Sequence, residues 1–226
     1  MSYFITGTDT GVGKTLICSA LLHGFAAQGK RVAGFKPVAA GCDADGYNDD
    51  AKVLHLASSL SLTYGQVNPY CLRDAIAPHI AARNEGVNIN FPYILAAYRE
   101  LAGQADEVIV EGAGGFSVPL NDRQNSADLA QELALPVIMV VGMQLGCLNH
   151  ALLTVRAIAD YGLKCAGWVA NGSKTDMHAL HENVEALRER IAAPLLGVVP
   201  YMVKPVSEAA AQYLDLNLLE CNSTNE

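Results

Sequence analysis

Apolar residues fall in short continuous runs separated by longer amphipathic stretches, and the two patterns alternate along the whole chain. The runs cover residues 3–6, 31–36, 107–111, 136–141, 166–170 and 195–199. Each is too short for a globular helix and shows no polar alternation, which predicts strands buried on both faces. Between them the apolar spacing becomes helical. Leu16, Ile17, Ala20, Leu21, Gly24 and Phe25 lie on one stripe, as do Leu180, Val184, Leu187 and Ile191 within 177–191, and 91–105 carries Pro92 in its first turn. Strands alternating with helices predict a single-domain α/β fold, a parallel sheet with helices on both faces. The stretch 62–89, with Pro69, Pro78 and two glycines, predicts loops around one short helix. The domain is expected to span 1–219, followed by a polar tail at 220–226.

In such sheets ligands gather beyond the carboxyl ends of the strands. Behind the first run stands Gly7-Thr8-Asp9-Thr10-Gly11-Val12-Gly13-Lys14-Thr15, leading into the first helical stripe. A glycine-rich turn between strand and helix aims backbone N–H groups into one concavity at the positive end of a helix dipole, a cradle for phosphate oxygens. The order predicts a phosphate-loop NTPase fold, with Lys14 reaching the β- and γ-phosphates and the Thr15 hydroxyl on Mg²⁺. The spacing departs from the common loop, since Thr8 stands where the first glycine is usual and Gly7 sits one place earlier.

The other strand ends supply Lys36, then Glu111-Gly112-Ala113-Gly114-Gly115, residues 142–149, Asn171-Gly172 and Pro200-Tyr201. Lys36 ends a strand on the same rim as Lys14, where an ammonium stabilises charge developing on a phosphoryl group; the plainer alternative is a lysine reaching solvent. Glu111 suits a Mg²⁺-holding acid or a simple cap. Asp49 and Asp50 precede the stripe Val53, Leu54, Leu56, Ala57, so either is a candidate N-cap or metal ligand, and spacing does not choose.

Charge and cysteines narrow the class. A net charge of −8 argues against a nucleic-acid surface. No apolar run approaches the ~18 to 20 residues that span a bilayer, and with no basic leader before the first strand a cytoplasmic protein is expected. Six cysteines without a Cys-x-x-Cys pair predict neither disulfides nor a structural zinc site. Cys147 is expected to pack as a small hydrophobe and not to act as a nucleophile. His178 and His181, flanked by Glu182 and Glu185, suit a solvated helix face better than a metal pair.

Several strings are more specific than a phosphate loop. In order they are residues 7–15, Phe35-Lys36-Pro37-Val38-Ala39-Ala40-Gly41, Val67-Asn68-Pro69-Tyr70, Ala77-Pro78-His79-Ile80, Val110-Glu111-Gly112-Ala113-Gly114, Leu145-Gly146-Cys147-Leu148-Asn149-His150, Gly167-Trp168-Val169-Ala170-Asn171 and the run 195–201. On these strings the chain resembles the dethiobiotin synthetase family over nearly its whole length. The resemblance implies ATP-dependent carboxylation and ring closure of 7,8-diaminononanoate with CO₂, by a homodimer using Mg²⁺. It implies that Gly11, Val12, Gly13, Lys14, Thr15 and Leu16 wrap the triphosphate, with Gly112, Ala113 and Gly114 close by. Thr15, Asp50 and Glu111 would gather Mg²⁺, which selects Asp50 over Asp49, and Lys36 and Lys14 would act at the reacting centre.

By the same resemblance Asn171, Gly172, Pro200, Tyr201 and Met202 would approach the adenine, and Thr10 and Ala40 the substrate. Leu145, Gly146, Cys147 and Asn149 would offer backbone and amide groups to the substrate carboxylate from the partner subunit. Three positions depart from the family pattern: Gly11 where Glu occurs, Ala40 where Ser is frequent, and Gln144 where a base is common. Two rivals share the fold. A nucleotide switch of the positioning type carries a second lysine five places before the loop lysine, where this chain has Asp9. An amide-forming ligase acting on corrin carboxylates brings a glutamine-hydrolysing domain as well.

Overall fold

All six apolar runs become strands of one parallel sheet, because most residues in them find a covering layer on their own side. The computed structural model describes residues 2–172 and 177–220, without the side chain of Glu220. Its first half runs β1 (Ser2–Gly7), α1 (Lys14–Ala27), β2 (Val32–Phe35), β3 (Val38–Ala40), α2 (Asp49–Ala57), α3 (Tyr64–Val67), β4 (Tyr70–Leu72), α4 (Pro78–Glu85) and α5 (Phe91–Ala102). The second half runs β5 (Glu107–Glu111), α6 (Ser126–Leu133), β6 (Val137–Gly142), α7 (Cys147–Asp160), β7 (Cys165–Asn171), α8 (Leu180–Arg188), β8 (Leu195–Val199), α9 (Ser207–Ala211) and α10 (Asn217–Glu220).

The large sheet has the order β2-β5-β1-β6-β7-β8. Period-two alternation sends successive residues of β6 to opposite faces. Ile138 and Val140 join the larger core with Ile17 and Leu21 of α1, whereas Met139 and Val141 join a second core with Ala151 of α7 and Leu187 of α8. Both faces are thus dry, as the unbroken apolar runs require. Register then fixes the rim. Ile5 pairs with Glu111 and Phe35 with Val110, so Glu111 emerges beside the phosphate loop, and Lys36, one residue beyond Phe35, emerges beside Glu111.

Four expectations need correction. The stretch 62–89 holds two helices and a strand, not one helix among loops: β4 pairs in parallel with β3 as a separate two-stranded sheet. Strands of three residues are too short to show a period in sequence. A disulfide joins Cys42 and Cys71, although none was expected. The pairing of Ala39 with Cys71, and the bond from the Cys42 N–H to the Leu72 carbonyl, bring the two Cα atoms to 5.9 Å across a separation of 29 residues that no local pattern reveals.

The helix expected over 177–191 begins at Leu180 and ends at Arg188, and the one expected over 91–105 stops at Ala102. In each case the apolar stripe continues into the turn that follows, where Ile191 and Ala105 still pack on the core. Glu220 closes α10, and the rest of the predicted tail, 221–226, lies outside the described residues.

Candidate active site

β1 ends at Gly7 and α1 begins at Lys14, so residues 8–13 form the loop between them. Gly13 caps α1 with φ 91°, a left-handed conformation, and a Cβ there would collide with the Asn171 amide. That amide donates to the Val12 carbonyl at 2.7 Å and braces the loop from the end of β7. Lys14 is 7% exposed, and its ammonium donates to the Asp9 carbonyl at 3.0 Å. Burial depresses the Lys14 pKa, with the charge of Glu111 opposing.

The second lysine meets two carboxylates. Lys36 Nζ lies 2.5 Å from Glu111 Oε1 and 3.1 Å from Asp50 Oδ2, with both Lys36 and Glu111 nearly inaccessible. Burial works against the charge on Lys36, but Glu111 and Asp50 outweigh it and hold its pKa above the ordinary range, so the amine is protonated. Burial likewise disfavours the charge on Asp50, yet Lys36 overrides it and the carboxyl pKa is lowered. Thr15 Oγ1 donates to Glu111 Oε1 at 3.0 Å. Glu111 Oε2 is buried without a hydrogen-bond partner among the described residues, an acceptor open to a cation. One hydroxyl and two carboxylates form an all-oxygen set that fits Mg²⁺.

The structure also resolves which residue caps α2. Asn48 does so, its Oδ1 accepting from the Ala51 N–H at 3.3 Å; Asp49 projects outward to Lys52, and Asp50 turns inward to Lys36. Neither aspartate is the cap, because the amide one residue earlier already fills that position.

Two cavities share the phosphate loop as a wall. One, of about 510 Å³, opens over Lys36 and Asp50 and is lined by Thr10, Ala40, Ala113 and Gly114, with an apolar side made by residues 75–78. The other, of about 160 Å³, is lined by Gly11, Gly13, Leu16, Asn171, Gly172, Pro200, Tyr201 and Met202. Gly112 lies buried beneath them, its N–H bonded to the Ile5 carbonyl at 2.9 Å. A larger cavity of about 830 Å³ beyond α4, between Arg83 and Arg123, contains no part of the lysine–carboxylate cluster and is not the site.

Leu145, Gly146, Cys147 and Asn149 line neither of the two paired cavities. Leu145 is fully exposed, while the Cys147 side chain is buried in the second core, where burial raises its pKa. The Cys147 N–H is taken by the Gln144 carbonyl at 3.0 Å. His178 and His181 are exposed. Sequence reasoning missed Asn48, Val38, Ala39, Val118 and the wall 75–78 on one side, and Pro205 on the other. The Ala77-Pro78 string was the one available signal for that wall.

A parallel sheet with a glycine-rich loop and a Lys-Thr helix start at its central strand defines a phosphate-loop NTPase fold. The chain matches a family described as an AAA domain over residues 1–209. A ParA family ATPase from Chlorobium tepidum is similar in fold, with a TM-score of 0.58 at 12% identity over 99% of this chain and 93% of that one. The chain is 55% identical to the ATP-dependent dethiobiotin synthetase BioD of Aromatoleum aromaticum, over 89% of this chain and 91% of that protein. It is 51% identical to the protein of the same name from Janthinobacterium, over 96% of this chain and 94% of that one. The chain belongs to the ATP-dependent dethiobiotin synthetase family.

Proposed function

We propose that the chain joins CO₂ to 7,8-diaminononanoate at the expense of ATP and closes the ring to dethiobiotin, with release of ADP and phosphate. The observation that carries the reading is the buried cluster of Lys36, Glu111, Asp50 and Thr15 beneath a phosphate loop shared by two cavities, in a chain about half identical to BioD proteins. The smaller cavity takes the adenine, against Leu16, Pro200, Tyr201 and Met202, with Asn171 and Gly172 at its base. The larger takes the diamine. The triphosphate crosses the loop between them, wrapped by the backbone of residues 11–16.

One amine adds its lone pair to the carbon of CO₂ and loses a proton, giving a carbamate. A carbamate oxygen then attacks the γ-phosphorus while the bond to the β–γ bridging oxygen breaks, releasing ADP and leaving a carbamic–phosphoric anhydride. The second amine attacks the carbamoyl carbon; phosphate leaves with the C–O electron pair and the nitrogen loses its proton. Phosphoryl transfer asks for positioning and charge neutralisation more than covalent help. Lys36 and Lys14 supply ammonium groups to the transferring oxygens once phosphate displaces their contacts with Glu111 and the Asp9 carbonyl. Thr15, Asp50 and Glu111 would hold Mg²⁺, which when bound neutralises phosphate charge. Thr10 and Ala40 face the reacting amines.

Among the described residues the larger cavity offers no cation for the far carboxylate of the diamine besides Lys36. A second copy of the chain would bring Leu145, Gly146, Cys147 and Asn149 to it, which accounts for a fully exposed leucine. No helix among the described residues is long and apolar enough to cross a membrane, and the reading places the enzyme in the cytoplasm. The test is ADP release with diaminononanoate and bicarbonate, omitting each component in turn. Release that requires both supports the reading, and release that ignores the diamine rejects it.

A further inference from the structure

The string Val67-Asn68-Pro69-Tyr70 touches neither cavity except through its neighbours, yet Asn68 is only 4% exposed. Its amide donates to the Lys36 carbonyl at 2.7 Å and to the Tyr70 carbonyl at 3.0 Å. Its Oδ1 accepts from the Tyr64 hydroxyl at 3.1 Å, and that hydroxyl oxygen accepts from the Asn48 N–H at 2.7 Å. Asn48 in turn caps α2, whose first turn carries Asp50. Asp50 returns to Lys36 through the ion pair at 3.1 Å. The contacts form a closed ring, from Lys36 through Asn68, Tyr64, Asn48 and Asp50 back to Lys36.

The direction of each bond is set by chemistry. The Asn48 N–H occupies one lone pair of the Tyr64 oxygen, and the single phenolic proton then points to Asn68. Both amide hydrogens of Asn68 are used on carbonyls. Burial pushes the Tyr64 pKa up, which keeps that proton in place. The start of α2 is also held by Asn48 Nδ2, which donates to the Ala40 and Gly41 carbonyls at 3.3 and 3.4 Å; the ring adds the fixed direction that the Asp50–Lys36 salt bridge alone lacks. Fully satisfied polar networks with fixed direction specify one arrangement.

We propose that Asn68 and Tyr64 are positioning residues that set the placement of Asp50 against Lys36, and through it the geometry of the carboxylates beside the phosphate loop. This rests on the functional reading above for its effect on turnover, but its effect on the carboxylate set does not depend on which reaction follows. Removing an orienting partner of this kind costs metal affinity or activity by roughly 10- to 100-fold.

The test uses the full chain with Tyr64→Phe, which deletes one oxygen, and Asn68→Ser, with Tyr47→Phe as a control on the adjacent exposed ring. Mn²⁺ binding in the presence of ADP is read by electron paramagnetic resonance, alongside kcat and KM for ATP. The expected result is Mn²⁺ affinity lowered about tenfold in Tyr64→Phe and at least as much in Asn68→Ser, with kcat falling, KM for ATP within about twofold, and Tyr47→Phe unchanged. Should Asn68→Ser fail to fold, Tyr64→Phe decides alone. Mn²⁺ affinity within about twofold of the parent, or a loss no larger than the unfolded fraction, overturns the proposal. A chain that makes no dethiobiotin yet shows the Mn²⁺ effect keeps the positioning role and loses the function assigned above.

Discussion

Strand β5 places a glutamate at each of its ends, and each meets a lysine from the segment around β2. At the amino end Glu107 pairs with Lys30 at 3.0 Å, and at the carboxyl end Glu111 pairs with Lys36 at 2.5 Å. Both glutamates are buried, so the pairs look alike in composition. Their surroundings differ. Lys30 is 27% exposed and lies over the Phe25 ring at 4.8 Å, with an aromatic face completing its environment. Lys36 is 5% exposed and shares its charge with a second carboxylate, while Glu111 also receives the Thr15 hydroxyl. The same two side chains serve as a fastening at one end of a strand and, on the proposed function, as reaction machinery at the other. The carboxyl end alone meets the phosphate loop, as the geometry of open parallel sheets dictates.

Four substitutions separate the two ends, and the largest effect belongs to Lys36. On the proposed function Lys36→Ala removes a charge that neutralises the transferring phosphoryl group, and it is expected to slow turnover on the order of 10²-fold or more; near-normal turnover in a steady-state assay would take Lys36 out of the mechanism. Glu111→Gln keeps the shape but drops the charge, and is expected to weaken Mn²⁺ binding with ADP and reduce activity by roughly 10-fold or more. A Mg²⁺ titration of ADP release checks this, with an unshifted midpoint counting against Glu111 as a ligand.

Lys30→Met at the other end leaves Glu107 without this partner. Urea unfolding should show a loss of about 1–3 kcal/mol, with kcat unchanged. A kcat deficit at equal folded fraction would mean that the two ends are not functionally distinct. Smallest is the exposed pair just before β5. Arg31 donates to Asp106 through its side chain and its backbone N–H, and these bonds hold the carboxyl pKa at about 2. A depressed carboxyl pKa stabilises the fold above the unfolded value, near 3.9, and that contribution is lost as pH falls toward 2. Asp106→Asn should flatten the stability profile between those limits, and an unaltered acid limb would contradict the assignment.

Much of the carboxyl rim was legible because strand ends are marked by apolar runs that simply stop. Lys36, Glu111 and Asn171 each follow or close such a run, and their convergence needs only the parallel topology. The layer over Lys36 was not legible. β3 and β4 have three residues each, too few for a period, and their pairing with the Cys42–Cys71 bond depends on contacts between distant segments. Choosing between Asp49 and Asp50 required the first residue of α2, and that start, at Asp49, makes the unconsidered Asn48 the cap. The roles of Asn68 and Tyr64 were hidden for a different reason: apart from the bond between them at 3.1 Å, the partners in the ring are backbone groups, and backbone leaves no trace in residue identity.

The amide of Asn171 reaches from the wall of the smaller cavity to the carbonyl of Val12, against a glycine that cannot accept a side chain. On the proposed function, base recognition and the grip on the triphosphate would both depend on Asn171. A lineage drifting toward another nucleobase through position 171 would disturb the anchorage of the phosphates at the same mutational step, so nucleotide preference in chains built this way should change only together with their affinity for pyrophosphate itself.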